Sequence, residues 1–194
     1  MPPSIALLRA YFSWYPTDNT NAIPWLAQEG LNTITHYPPM TTMRELFDLY
    51  KKRVWQEHHT NPDRLNAHVP APKYGIVRHV YVAETDDQAR REAKAAFADS
   101  IDNFNYLRLV HGDTSGRAAY LADFEARLAE GLHIVGSPDT VKQQVQEHLQ
   151  VTGSNYFVGS FCFGTLTGAQ TLRSVRLFAE EVMPACRVQG RGGA

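Results

Sequence analysis

Apolar residues along this chain fall into short extended runs that alternate with longer stretches repeating at helical spacing, the pattern of a parallel sheet with helical crossovers. The runs Ser4 to Phe12, Leu31 to Thr35, Ile76 to Ala83 and Asn155 to Phe163 predict four strands. Asn19 to Glu29 predicts a short helix closed by Gly30. Thr41 or Thr42 can cap the next helix, with Glu45 in its first turn and Met43, Phe47, Tyr50 and Val54 on its apolar stripe. Asn61 to Pro72, with three prolines, predicts a loop.

Thr85, followed by Asp86 and Asp87, caps a long helix whose Ala89, Ala93, Phe97, Ile101 and Phe104 form one stripe. A glycine-containing loop, Gly112 to Gly116, leads to a helix running to about Ala129. Ser137, Pro138 and Asp139 supply an N-cap, a first helical residue and a dipole partner for a helix striped by Val141, Val145 and Leu149. A last amphipathic helix begins near Ala169 and is stopped by Pro184.

At 194 residues and 43% hydrophobic content, the chain can bury a sizeable core. Nineteen Lys and Arg against twenty Asp and Glu leave a net charge of -1, with no basic block to track a phosphate backbone, so nucleic acid is not an expected partner. No apolar run approaches a membrane span and no secretory signal opens the chain, which predicts a cytoplasmic protein with no membrane partner. Cys162 and Cys186 read as reduced packing residues.

Several segments together resemble the second half of the bacterial-luciferase-like flavin-dependent monooxygenases. Phe163-Gly164, then Arg173-Ser174 and Val182-Met183-Pro184, match that family's C-terminus. Trp25-Leu-Ala-Gln-Glu-Gly-Leu-Asn-Thr-Ile-Thr looks like its helix-then-strand segment. His79-Val-Tyr-Val-Ala-Glu-Thr-Asp-Asp-Gln-Ala-Arg looks like a further strand with its acid-capped helix, and Val135-Gly-Ser-Pro-Asp-Thr-Val like its Gly-[Ser/Thr]-Pro-Glu-x-Val element.

The resemblance implies an α/β fold of the (β/α)8 TIM-barrel type, truncated to about its second half: four parallel strands with crossover helices. Residues 1–186 would form that domain and 187–194 a flexible, glycine-rich tail. It also implies a flavin-dependent monooxygenase or oxidoreductase that uses reduced FMN, or a deazaflavin relative, with O2 on a small organic substrate. A flavin reductase is a further expected partner.

By the same resemblance, the turn before the Trp25 helix holds the flavin phosphate, which makes Asp18, Asn19, Thr20, Asn21 and Ala22 the cofactor-binding candidates. The family's Ser and Thr hydroxyls fall here on Asn19 and Ala22, and no Arg stands beside them. Capping of a helix by Asp18 to Asn21 is the plain structural alternative.

Catalytic groups in this architecture stand at the C-terminal ends of strands, which singles out Phe12 to Trp14, His36 and Tyr37, Glu84, and Phe161 to Gly164. His36 is the candidate catalytic residue, as a group that orients or protonates an intermediate. Tyr11, Phe12, Trp14, Phe161 and Phe163 can line a pocket or fill the core.

No metal is expected: His58 and His59 are adjacent and point about 100 degrees apart on a helix, unlike a zinc-binding pair. Gly159-Ser-Phe-Cys-Phe-Gly has the wrong spacing for a nucleophile elbow.

A half-barrel exposes two sheet edges and an apolar face, which predicts a homo-oligomer or a separately encoded first half-barrel as partner. The alternative function is a non-catalytic truncated half-barrel acting as an assembly subunit or remnant.

Overall fold

The computed structural model describes residues 14–55, 60–67, 71–112 and 122–186. The strand expected at Ser4 to Phe12, the pair His58 and His59, and the glycine-rich tail lie outside the described residues. The elements in chain order are β1 (Trp14–Pro16), a 3₁₀ turn (Thr20–Ala22), α1 (Ile23–Gln28), β2 (Asn32–Thr35), α2 (Met40–Leu49) and a π-helical extension (Tyr50–Trp55). β3 (Tyr74–Val82), α3 (Asp86–Val110), α4 (Phe124–Ala129), β4 (His133–Gly136) and α5 (Pro138–Thr152) follow. The last elements are β5 (Tyr156–Ser160), α6 (Gly168–Leu177), a second π-helical stretch (Phe178–Val182) and α7 (Met183–Cys186). β1 pairs with β2, β2 with β3 and β3 with β4, all parallel, and β5 also pairs with β3. This is the parallel α/β sheet with crossover helices of a partial TIM barrel.

The chain forms two compact units. The first comprises residues up to Val77 together with His148–Val158. Its core joins Ile23, Leu26 and Ala27 of α1, Leu31, Leu46 and Tyr50 in one cluster, and Met43, Phe47 and Ile76 in another. Met43, Phe47 and Tyr50 of the stripe expected on α2 are therefore buried. That helix nevertheless begins at Met40 with Pro39 at the N-cap position and no side-chain cap, one or two residues before the threonines proposed for that role. Proline lacks an N–H and presets φ, so it can lead into a helix without a capping hydroxyl.

α1 ends where Gly30, at φ +68°, takes the left-handed conformation that a side chain disfavours, so that Gly30 donates to the Ala27 carbonyl and Leu31 to that of Leu26. β2 is polar yet buried: Asn32 Oδ1 accepts the Lys73 amide at 2.8 Å and the Thr33 hydroxyl donates to the Tyr15 carbonyl at 2.9 Å. These bonds satisfy Asn32 Oδ1 and the Thr33 hydroxyl, which burial would otherwise penalise, while Asn32 Nδ2 is buried without a hydrogen-bond partner among the described residues. The entry to β5 is pinned by Asn155, whose Oδ1 accepts the Tyr74 amide at 2.9 Å while its Nδ2 donates to the Pro72 carbonyl at 3.1 Å.

The second unit comprises Arg78–Glu147 and the chain from Gly159. Thr85 caps α3 by accepting the Gln88 amide, with Asp86 and Asp87 in the first turn, as the sequence predicts. Ala89, Ala93, Ala96 and Phe97 from that helix pack with Tyr81, Phe124, Val135 and Phe163 in one core.

Three elements differ from expectation. His133–Gly136, assigned to no element by the sequence pattern, is a fully buried strand paired residue for residue with His79–Val82. Four residues are too few to show a period, and the pairing with β3 decides their conformation. The helix before it ends at Ala129 as expected, its described part Phe124–Ala129 capped by Asp123. β5 is shorter than Asn155 to Phe163, because Phe163 leaves the sheet for the core at 8% exposure. The C-terminal helix passes through Pro184 to Cys186. The preceding turn is π-helical, with Met183 donating to Phe178, and Pro184 sits in the first turn after this widened register, where a missing N–H costs little.

His79 lies in this core, its ring 5.1 Å from that of His133 and 5.4 Å from Phe163. Burial holds its imidazole below the ordinary value of 6.5, favouring the neutral form in the folded state. A depressed histidine contributes stability that is present above the unfolded value and lost as pH falls below it, because the unfolded chain takes up the proton first. Denaturant melts between pH 7 and 5 are expected to show stability falling toward the acid end by up to about 1.4 kcal/mol per pH unit, and His79→Phe should flatten that slope.

Candidate functional site

The parallel register of β1 and β2, Trp14 with Asn32 through Pro16 with Ile34, brings the C-terminal ends of both strands to the same side. Thr17 donates its amide to the Ile34 carbonyl at 3.0 Å, carrying the pairing one residue beyond β1. The segments that follow the two strands therefore converge, and they line an open cavity of about 690 Å³ within the first unit. Its walls are Pro16 to Asn19, Ile34 to Tyr37 and Val77. That volume lies within the range of small-molecule sites.

Asp18 ties the two strand ends together. Its Oδ1 accepts the Thr35 hydroxyl and, at 3.0 Å, the His36 amide. Oδ2 takes no bond from the described residues. Thr35, at 3% exposure, anchors this contact from the sheet, whereas Asp18 and Asn19 are exposed. His36 is half-buried, with its ring 4.2 Å from that of Tyr37. The structure thus brings Asp18, Asn19 and His36 onto one cavity, though 17 or more residues separate the first two from the third.

Thr20, Asn21 and Ala22 form the 3₁₀ turn directly after Asn19. Asn19 is its N-cap: Oδ1 accepts the Asn21 amide at 3.0 Å and the backbone carbonyl accepts that of Ala22 at 3.1 Å. The Asn19 amide donates to the Thr17 hydroxyl at 3.0 Å, and the Ile23 amide to the Thr20 carbonyl. A phosphate requires donors, and these amide donors already have acceptors within the turn. Among the described residues the cavity is lined by one carboxylate and by no Lys or Arg. The donor set suits a ligand that offers hydroxyls better than one that brings negative charge.

The remaining strand-end candidates lie elsewhere. Trp14 packs on Tyr156 at 4.9 Å, and Phe161 on Phe178 at 5.1 Å. Phe163 fills the core of the second unit. In that unit Glu84 lines a smaller pocket with Ser137, Asp139 and Glu181. Among the described residues no group of three or more His, Cys, Asp or Glu is placed to hold a metal ion, and both cysteines are free thiols. Sequence reading passed over Thr17 and Thr35; a hydroxyl at or just beyond the end of each strand is the signal that could have marked them.

A family model, the luciferase-like monooxygenases, matches residues 20–156. The chain belongs to this family. Among relatives of this luciferase-like protein, the uncharacterized protein y4wF of Sinorhizobium fredii is 24% identical over 171 residues, covering 88% of this chain and 47% of the relative. 2,5-Diketocamphane 1,2-monooxygenase 1 of Pseudomonas putida is 21% identical over 185 residues, covering 89% of this chain and 48% of the relative. The chain therefore spans about half the length of the curated relatives it matches.

Among solved structures, the monooxygenase RslO1 of Streptomyces bottropensis superposes with a TM-score of 0.64 at 19% identity, over 88% of this chain and 47% of that one. The oxygenating constituent of 3,6-diketocamphane monooxygenase from Pseudomonas putida, solved in complex with FMN, gives 0.58 at 16% identity with the same coverage. At these identities the likeness establishes the fold. No helix among the described residues is long and apolar enough to cross a membrane.

Proposed function

We propose that this chain is the flavin-handling second half of a luciferase-like oxidoreductase, a monooxygenase using reduced FMN and O2 on a small organic substrate in the cytoplasm. What supports the reading is the convergence of Asp18, Asn19 and His36 on one cavity at the C-terminal ends of parallel strands, in a chain of a monooxygenase family. Residues 1–186 act as one catalytic half-domain. A second copy, or a chain supplying the other half of the barrel, completes the enclosure, and a flavin reductase supplies the reduced cofactor. A deazaflavin is the alternative cofactor of the same shape class.

When bound, the flavin supplies the redox chemistry with oxygen. The protein's residues orient the ligand and keep water out. Asp18 and Asn19 form the polar wall against the cofactor, with Thr20 to Ala22 in the turn that follows them, while Ile34 and Val77 give the cavity an apolar side. His36, fixed through its amide by Asp18, exchanges a proton between its imidazole and the ligand in the cavity. The cavity is open, so exclusion of water rests on the completing partner.

Titration of the purified chain with oxidised and reduced FMN, followed by flavin fluorescence with light scattering on the same sample, tests this reading. Saturable binding with Kd on the order of micromolar is expected, in an assembly larger than one chain. A well-folded chain that binds neither form overturns it.

A further inference from the structure

We infer that the Asp18 end of the cavity is a hydroxyl-accepting subsite that receives the polyol chain of a flavin and gains nothing from its phosphate. This rests on the flavin reading above and specifies which part of the ligand these residues meet.

Three independent features carry it. The amides of Thr17, Asn19, Asn21, Ala22 and Ile23, five of the donors an anion could use here, are each bonded to an acceptor in this segment or on β2. Among the described residues no Lys or Arg lines the cavity, so no permanently cationic side chain described there offsets a phosphate's charge. The charge present is the wrong sign: Asp18 contributes a carboxylate whose Oδ1 is committed to Thr35 and His36, with Oδ2 taking no bond from the described residues.

The same groups match a chain of hydroxyls. Asp18 Oδ2 accepts an O–H, and the Thr35 oxygen, having given its proton to Asp18, accepts another. Asn19 has its Oδ1 occupied by the Asn21 amide, which leaves its Nδ2 as a donor to a hydroxyl oxygen. A polyol both gives and takes hydrogen bonds and adds no charge to repel the carboxylate. A phosphate at hydrogen-bonding distance would be opposed by Asp18, an effect moderated by solvent because Asp18 is exposed.

The test is a fluorescence titration of the full chain with riboflavin and with FMN, in the wild type and in Asp18→Asn. Asparagine keeps an oxygen for the Thr35 and His36 bonds but removes the charge and puts an amide N–H₂ in place of the accepting oxygen. The expected result is riboflavin and FMN binding within about threefold of each other in the wild type. In Asp18→Asn, FMN should tighten relative to riboflavin by about three- to tenfold. High inorganic phosphate should not compete with FMN.

FMN binding about tenfold or more tighter than riboflavin in the wild type, competed by phosphate and unmoved by Asp18→Asn, overturns the polyol assignment while leaving the flavin reading intact. Absence of saturable binding by either flavin overturns both.

Discussion

Gly164→Ala is expected to be the most damaging single-methyl substitution in the described chain, lowering the melting temperature by about 10 °C or more or preventing folding. A Cβ at this position would stand 1.6 Å from the Ala96 carbonyl oxygen and 2.5 Å from its carbon. Both atoms belong to the backbone of α3 in the middle of a packed helix, so no rotamer change relieves the overlap. Gly164 also holds φ at +55°, a conformation that costs any residue with a side chain about 1 kcal/mol or more. Two neighbouring comparisons separate the terms. Gly112→Ala carries a similar φ of +69° with nothing within 4 Å of the new methyl, and should cost only the conformational term of about 1 kcal/mol. Gly168→Ala meets neither penalty, stands at the start of α6, and should be neutral or slightly stabilising. Thermal melts of the three variants give the order directly; a Gly164 variant no worse than the Gly112 one would overturn the steric account.

Arg173→Met is the second large effect. Arg173 on α6 donates to the Tyr81 hydroxyl of β3 at 2.8 Å and to Glu92 of α3, and Tyr81 donates to the same Glu92 oxygen. The guanidinium also stands 3.8 Å from Glu84. Burial alone would raise the Glu92 carboxyl, but the bonds from Tyr81 and Gln88 and the Arg173 charge outweigh it and hold the group below its ordinary 4.5. Methionine in place of Arg173 leaves a largely buried carboxylate without its cation, at a cost of about 2 kcal/mol. The cost should shrink in a Glu92→Gln background, which a double-mutant cycle measures.

The pH dependence gives the same network a second readout. A carboxylate depressed in the folded state contributes stability present above its unfolded value and lost as pH falls through the folded one. In the wild type this loss falls below about pH 4.5; Arg173→Met should weaken it, because the depression is partly relieved. An unchanged acid arm in the variant would count against the network.

What could be read from the sequence was the local chemistry. Thr85 with Asp86 and Asp87 identified the start of α3 because a cap needs only neighbours within one turn, and Ala89, Ala93 and Phe97 identified its buried face. Gly30 marked the end of α1 for the same reason. Longer-range features were not legible. β4 is a strand because β3 pairs with it, and nothing inside His133–Gly136 says so. Phe163 offered itself equally as pocket wall or core until packing against His79 and Tyr81 settled it as core. At the candidate site, position at a strand end nominated His36, and the family resemblance nominated the Asn19 turn. The bond that joins them runs from Asp18 to Thr35 and His36 across two strands, and no spacing rule encodes it.

The composition of the two units also has a consequence for how the protein is made. The first unit draws on residues up to Val77 and then again on His148–Val158, with the second unit's Arg78–Glu147 intervening. Lys51 reaches the Gly153 carbonyl at 2.7 Å and Arg44 that of Val151 at 3.2 Å, contacts that close loops of about a hundred residues. On a ribosome, the N-terminal segment therefore emerges without the partner that finishes its own core, and must wait for most of the chain to be translated. Nascent chains arrested before residue 148 should bind chaperones and be cut readily by protease. Cutting the gene near residue 78 would not yield a separately foldable piece, because neither unit is continuous in the message.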